Sequence, residues 1–285
     1  MTNWHLLKVD LKFAWGWSIR TPTTSAAEMS LLFPPPSTLI GALARGLSHT
    51  SKERWTECIS DPKRRFLKSS AVRLLAFIAS AHFGLDITST GITPWSDITH
   101  SYAVPYQQIQ HRSKREMWFG VHAIGKIYSP NSLSHIIYVV NGPKAENLLG
   151  KDWKEQLKMA AYSITAVGGK EGLTVTYRAE VSKAMLVKDE SIRTLYCFPE
   201  RAAVDYTPQN LSKEEFWDHT EASPHWSGRS RSQSKRIPYI LPIDKIALSP
   251  AIIEARPSSE GVSLTIDGST ENTVLLLKEW LSNVR

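Results

Sequence analysis

The stretch Phe33-Pro34-Pro35-Pro36-Ser37-Thr38-Leu39-Ile40-Gly41-Ala42-Leu43-Ala44-Arg45-Gly46-Leu47 decides how the rest of this chain is read. Three prolines forbid helix up to that point, and Ser37 and Thr38 offer hydroxyls to cap the orphan amides of a helix beginning there. Leu39, Ile40, Leu43 and Leu47 then recur at helical spacing. Gly41, Ala42, Ala44 and Gly46 keep the other faces thin, so a neighbour can approach closely, and Arg45 projects from the helix. Side chains of this kind perform no chemistry. The stretch predicts a proline-initiated core helix packed on a sheet.

On its N-terminal side, residues 7–17 alternate. Leu7, Val9, Leu11, Phe13, Trp15 and Trp17 share one face, and Lys8, Asp10 and Lys12 the other, which predicts a half-buried strand. On its C-terminal side, Val72, Leu75, Ala76, Ala79 and Phe83 predict a second helix near 70–83. Residues 84–117 turn polar and end in the cluster His111-Arg112-Ser113-Lys114-Arg115. Two strands are expected next, Met117 to Tyr128 and His135 to Val140, joined as a hairpin through Ser129–Ser132. A helix fits 152–164 with Asp152 as its cap. Val167 to Gly172 then leads into a strand with Leu173, Val175 and Tyr177 alternating.

With 50–117 set aside as an insertion, the order is strand, helix, strand, strand, helix, strand. That is an α+β, ferredoxin-like (split βαβ) plan, its antiparallel sheet carrying helices on one face. Residues 1–180 form this domain. Residues 181–285 form a smaller β-rich section, with short strands at 181–187, 192–198, 246–254 and 262–266 and a terminal helix over 273–284. Between them lies the basic run Ser227 to Arg236, with Arg229, Arg231, Lys235 and Arg236 and no acid.

Composition narrows the function. The 285 residues carry 34 Lys and Arg against 27 Asp and Glu, a net +7 that favours a polyanionic partner. Cys58 and Cys197 form no metal-spaced or redox pair, which suits a reducing interior. The start Met1-Thr2-Asn3-Trp4-His5 has no signal-peptide pattern, and the apolar run Ala71–Phe83 is too short to span a bilayer. A cytoplasmic protein with no membrane contact, cofactor or metal is expected.

Three places suit nucleic acid. Gly168, Gly169 and Gly172 around Lys170 can bring backbone amides and a point charge close to phosphate, the alternative being a glycine C-cap and turn. His111, Arg112, Lys114 and Arg115 stand near Tyr102, Tyr106, Trp118 and Phe119, a mixture suited to phosphates and stacked bases. The run at 227–236 is a phosphate-contacting loop or a bare linker. Arg20 and Arg45 are further candidates, against surface ion pairing. For catalysis, only Tyr106, His111 (or His122) and Lys114 could combine as a metal-independent ribonuclease, and sequence proximity alone supports that set.

The aromatic-ended strand, the Phe33–Leu43 helix start, the insertion and the Gly168–Gly172 loop together resemble the CRISPR-associated Cas-five family of the RAMP superfamily. The likeness covers roughly residues 5–180 and is nearest to the archaeal subtype I-A branch. It implies a non-catalytic subunit of a type I Cascade antiviral effector that caps the guide RNA by gripping the crRNA 5′ handle. The implied partners are the Cascade backbone subunit and large subunit, with target DNA as a further contact. It also implies a β-hairpin thumb around 98–118 bearing Arg112, Lys114 and Arg115, and a glycine-rich loop at Gly168, Gly169, Lys170 and Gly172. One branch of the family processes pre-crRNA as an endoribonuclease. Its adjacent Lys-His pair has no match here, His111 preceding Lys114 by three residues.

Overall fold

Strand β1 (Trp4–Phe13) is the spine of the molecule, and the chain breaks its alternation where two sheets part company. After Phe13 the chain leaves the first sheet, and the two-residue β2 (Gly16–Trp17) pairs elsewhere. The break needs Gly16: its φ is +138°, and a Cβ there would lie 1.8 Å from the Ile127 carbonyl oxygen. The single strand expected over 7–17 is therefore two. This computed structural model describes residues 3–20, 29–61, 66–102, 109–169, 172–220 and 235–284.

Helix α1 (Pro36–Thr50) starts where the prolines require, with Pro36 in its first turn. The expected hydroxyl caps are absent: Pro35 is the cap residue, no side chain caps, and the Thr38 and Leu39 amides donate to the Pro35 carbonyl at 2.9 and 3.2 Å. The Ser37 hydroxyl is buried without a partner. Leu39, Ile40, Leu43 and Leu47 are fully buried, each stabilising the fold by about 1.5–3 kcal/mol. Gly46 lets α1 settle on a later helix, since a Cβ there would lie 2.0 Å from the Ala160 carbonyl oxygen.

A short hairpin, β3 (Cys58–Asp61) and β4 (Phe66–Ser69), comes next. The helix expected near 70–83 is absent. A 3₁₀ turn over Ser70–Ala76 gives way to strand β5 (Ile78–Leu85), buried at every position. A strand covered on both faces is apolar on both, so no period of two betrays it. The polar segment beyond it holds β6 (Thr93–Tyr102), which pairs along its whole length with β7 (Phe119–Tyr128). The expected hairpin between β7 and β8 (Leu133–Asn141) does not form. β7 pairs with β2 and β6, whereas β8 pairs with β1 and β5.

Helices α2 (Gly142–Leu149) and α3 (Trp153–Tyr162) precede β9 (Thr174–Lys183). Asp152 occupies the cap position of α3, but its side chain makes no capping bond. The central sheet is antiparallel throughout, in the order β5-β8-β1-β9. The Tyr138 hydroxyl, on β8, donates to the Leu39 carbonyl at 2.8 Å and places α1 on one face.

The C-terminal part covers the other face. Its strands are β10 (Met185–Leu186), β11 (Ile192–Thr194), β12 (Phe198–Pro199), β13 (Ala203–Thr207), β14 (Leu211–Trp217), β15 (Arg236–Asp244), β16 (Ile253–Pro257), β17 (Gly261–Thr265) and β18 (Thr273–Leu277), ending in helix α4 (Lys278–Asn283). Three expectations change here. The strand expected over 192–198 is two short ones, β11 and β12, in different sheets; residues 246–252 lie between β15 and β16 and form no strand; and the terminal helix begins only after the fully buried β18. The fold is α+β with antiparallel sheets, and one buried core runs from Trp4 to Val284. Among the described residues no helix is long and apolar enough to cross a membrane.

Two polar clusters pin the covered face. His82 is fully buried, with Nε2 2.9 Å from the Ser80 hydroxyl and Nδ1 3.0 Å from the Cys197 carbonyl oxygen. His135 sits between Asp10 (2.6 Å) and Asp86 (3.3 Å). With both ring nitrogens facing carboxylates and only 5% of its side chain exposed, it is a clasp between strands and admits no substrate.

Candidate nucleic-acid interface

Three segments distant in sequence meet at one cleft of about 550 Å³. Ser18, Ile19 and Arg20 come from the chain leaving β2; Thr38, Gly41, Ala42 and Arg45 from the outer side of α1; Ala166, Gly168 and Gly169 from the turn after α3. Ile124 of β7 closes it. Arg20 and Arg45 are both exposed, and among the described residues neither guanidinium has an ion-pair partner. Among the described residues no carboxylate lines the cleft, so within them two cations face a space with no counter-charge. Gly41 forms open floor: a Cβ there would meet nothing within 4 Å.

The glycine turn serves first as architecture. Gly168 has φ +83°, and a Cβ on it would strike Ile19 Cγ1 at 2.6 Å. The Gly169 amide donates to the Ser18 carbonyl at 3.2 Å and the Gly172 amide to the Gly169 carbonyl at 2.9 Å. Those two N–H groups are engaged within the protein, so the expectation of a cradle of glycine amides narrows to what remains of the loop. Lys170 lies outside the described residues.

The hairpin β6–β7 rises from the same place. The Ser18 hydroxyl donates to the Gly125 carbonyl at 2.8 Å, which ties the hairpin base to the cleft edge. Five residues beyond Ile124 the strand ends at Phe119, about 17 Å away. There Arg112, Lys114 and Arg115 are all exposed. Arg115 lies 5.8 Å from the centre of the Trp118 ring, and the Trp118 indole donates to the Arg112 carbonyl at 2.8 Å. The basic cluster is thus held out at the tip, away from the cleft.

The remaining candidates do not gather. Tyr106, Arg229 and Arg231 lie outside the described residues. His111 falls in a 3₁₀ turn at the hairpin tip, Ile109–His111, and Lys114 is exposed nearby. Lys235 is exposed, while Arg236 lies over the Trp217 ring at 4.6 Å and 3.4 Å from Glu215. Among the described residues no group of His, Cys, Asp or Glu is arranged to hold a metal. Sequence reasoning missed Ser18, Thr38 and Ile124 as cleft residues. Thr38 reads from sequence only as a cap, and nothing local marks Ile124 as a wall.

The fold extends over 95% of this chain and 98% of a CRISPR protein from Archaeoglobus fulgidus, with a TM-score of 0.56 at 17% identity. That likeness establishes the fold alone, and it is the fold of a CRISPR protein. A scan against protein-family models matched none. Among curated proteins, three from Saccharolobus solfataricus are similar. The CRISPR-associated protein Cas5 3 is 28% identical over 87% of this chain and 91% of its own length. Cas5 2 is 30% identical over 65% and 64%. The aCascade subunit Cas5 1 is 29% identical over 87% and 91%. Over most of its length the chain is thus similar to Cas5 proteins.

Proposed function

We propose that this chain is a non-catalytic RNA-binding subunit of a type I CRISPR effector complex. It holds the 5′-handle end of the crRNA and joins the Cascade backbone and large subunits, in the cytoplasm. We read the four-stranded sheet as the ferredoxin-like plan: β1-α1-β5 and β8-α3-β9 are two strand–helix–strand units, and the antiparallel order β5-β8-β1-β9 interleaves them. The β6–β7 hairpin is then the thumb, inserted between the two units. Support for the complex comes from the relative whose name makes it an aCascade subunit.

The observation that carries the reading is the cleft, lined by both Arg20 and Arg45 beside Gly168 and Gly169 and, among the described residues, by no carboxylate. Arginines bind phosphate oxygens as bidentate forks, and the close-approach glycines keep the wall low beside them. The test is binding of single-stranded repeat RNA by Arg20→Glu/Arg45→Glu. Affinity should drop, and the slope of log K against log salt should flatten by about 1.4, two phosphate contacts at about 0.7 each. An unchanged affinity and slope would remove the cleft from the RNA path. In the same assay with EDTA the RNA should stay intact. Site-specific cutting abolished by His111→Ala would make the chain a nuclease instead.

A further inference from the structure

The hairpin carries an aromatic row that the cleft does not use. The Trp15 and Tyr128 rings are 5.5 Å apart, and Trp95 stands 6.4 Å beyond Tyr128. Trp95 is 54% exposed and Tyr128 37%, although rings of this size are ordinarily covered. Register fixes which way they face. Thr93 pairs with Tyr128, Trp95 with Lys126 and Asp97 with Ile124, so Tyr128, Trp95, Lys126 and Ile124 lie on one face of the hairpin. Ile124 is the wall of the cleft, so the row and the cleft share a surface. Lys126 stands between them, with Nζ 5.7 Å from the Trp15 ring centre and 2.8 Å from the Asp97 carboxylate.

We propose that Trp95, with Tyr128 and Trp15, is a stacking platform for bases of a single-stranded RNA whose phosphates lie in the Arg20–Arg45 cleft. Indole and phenol rings accept any base on their π-face, which suits a surface that tracks a strand without reading it. From Tyr128 to Ile124 is four residues of strand, about 13 Å, the rise of about four stacked nucleotides. A protein partner would also use Trp and Tyr. Continuity with two arginines, and a row whose one carboxylate is neutralised by Lys126, favours the polyanion.

The inference rests on the RNA-binding reading of the cleft, and the experiment separates the two. Fluorescence anisotropy with a short labelled single-stranded RNA would compare wild type, Trp95→Ala and Trp95→Phe across a salt series. Trp95→Ala should weaken binding about 5- to 150-fold, the worth of one stacked base, with the salt slope unchanged. Trp95→Phe should keep most of the affinity, since a ring remains. The platform falls if Trp95→Ala binds as wild type while Arg20→Glu/Arg45→Glu does not, and the cleft then stands alone. It falls equally if Trp95→Phe is as weak as Trp95→Ala, or if Trp95→Ala spares RNA but loses a protein partner. Absence of salt-dependent RNA binding by wild type overturns both readings.

Discussion

Acid should loosen this protein through His82, by an amount the structure sets. The ring is fully buried on β5, and its two contacts define one neutral tautomer: Nδ1–H donates to the Cys197 carbonyl, and Nε2 accepts from the Ser80 hydroxyl. Burial, the largest cause, pushes its pKa down from 6.5 to about 4. Because the folded pKa is the lower one, the contribution to stability is complete above pH 6.5 and is lost as pH falls toward 4. Between pH 7.5 and 4.5 the loss is about 2.5 kcal/mol, at about 1.36 kcal/mol per pKa unit. Buried His219 is lowered in the same direction. Glu214, raised to about 7 by burial, opposes both, because stability from a raised carboxyl is lost as pH rises. A single pH curve therefore mixes these with other shifted groups such as His5 and Asp86, and a difference isolates one. Urea titrations of wild type and His82→Asn, followed by tryptophan fluorescence at several pH values, supply it; Asn keeps a donor for Cys197 and does not titrate. The stability difference between the two should shrink by about 2.5 kcal/mol from pH 7.5 to 4.5. A difference constant to within about 0.5 kcal/mol would refute the argument that this ring is neutral because it is buried.

Three further outcomes rest on the packing and the cleft. Gly41→Leu should fill open floor and weaken RNA binding with little change in melting temperature, whereas Gly41→Ala should raise stability by up to about 1 kcal/mol through helix propensity. Gly46→Val, which drives a side chain into the Ala160 backbone, should lower unfolding free energy by about 1–3 kcal/mol or more in denaturant melts. Charge reversal of Arg112, Lys114 and Arg115 together should leave the melting temperature unchanged, since all three are exposed, and reduce co-purification of crRNA or partner subunits. Undiminished co-purification would remove the hairpin tip from the interface.

Elements buried on one side could be read from the sequence, and those buried on both or on neither could not. β1 and α1 show their periods because charged or small residues occupy the opposite face. β5 hides because helix α1 covers one side and the Tyr196–Phe198 segment the other, so Ile78 to Leu85 offers no polar beat. β6 hides for the opposite reason: Thr93-Pro94-Trp95-Ser96-Asp97 belongs to a projecting hairpin and carries Pro94, a residue that argues against strand. The cleft was legible only in pieces. Arg20, Arg45 and the glycine turn could each be singled out, but their meeting depends on Gly16 turning the chain and on α3 bringing residues 168–169 back beside α1, and neither is local information.

The way the β6–β7 hairpin is fastened has a consequence for how its sequence can change. Its base is tied to the body by β2, by the Ser18–Gly125 bond and by the Ser129 amide on the Trp15 carbonyl at 2.7 Å. Among the described residues, its outer end contributes nothing to the buried core. Replacing the outer end wholesale would therefore leave the folding free energy nearly untouched, while one methyl group at Gly16 would jam the joint. Such a part is interchangeable: the tip can be retuned to a different ligand without renegotiating the rest of the molecule, and the adaptable and the fixed portions of one hairpin are divided at its root.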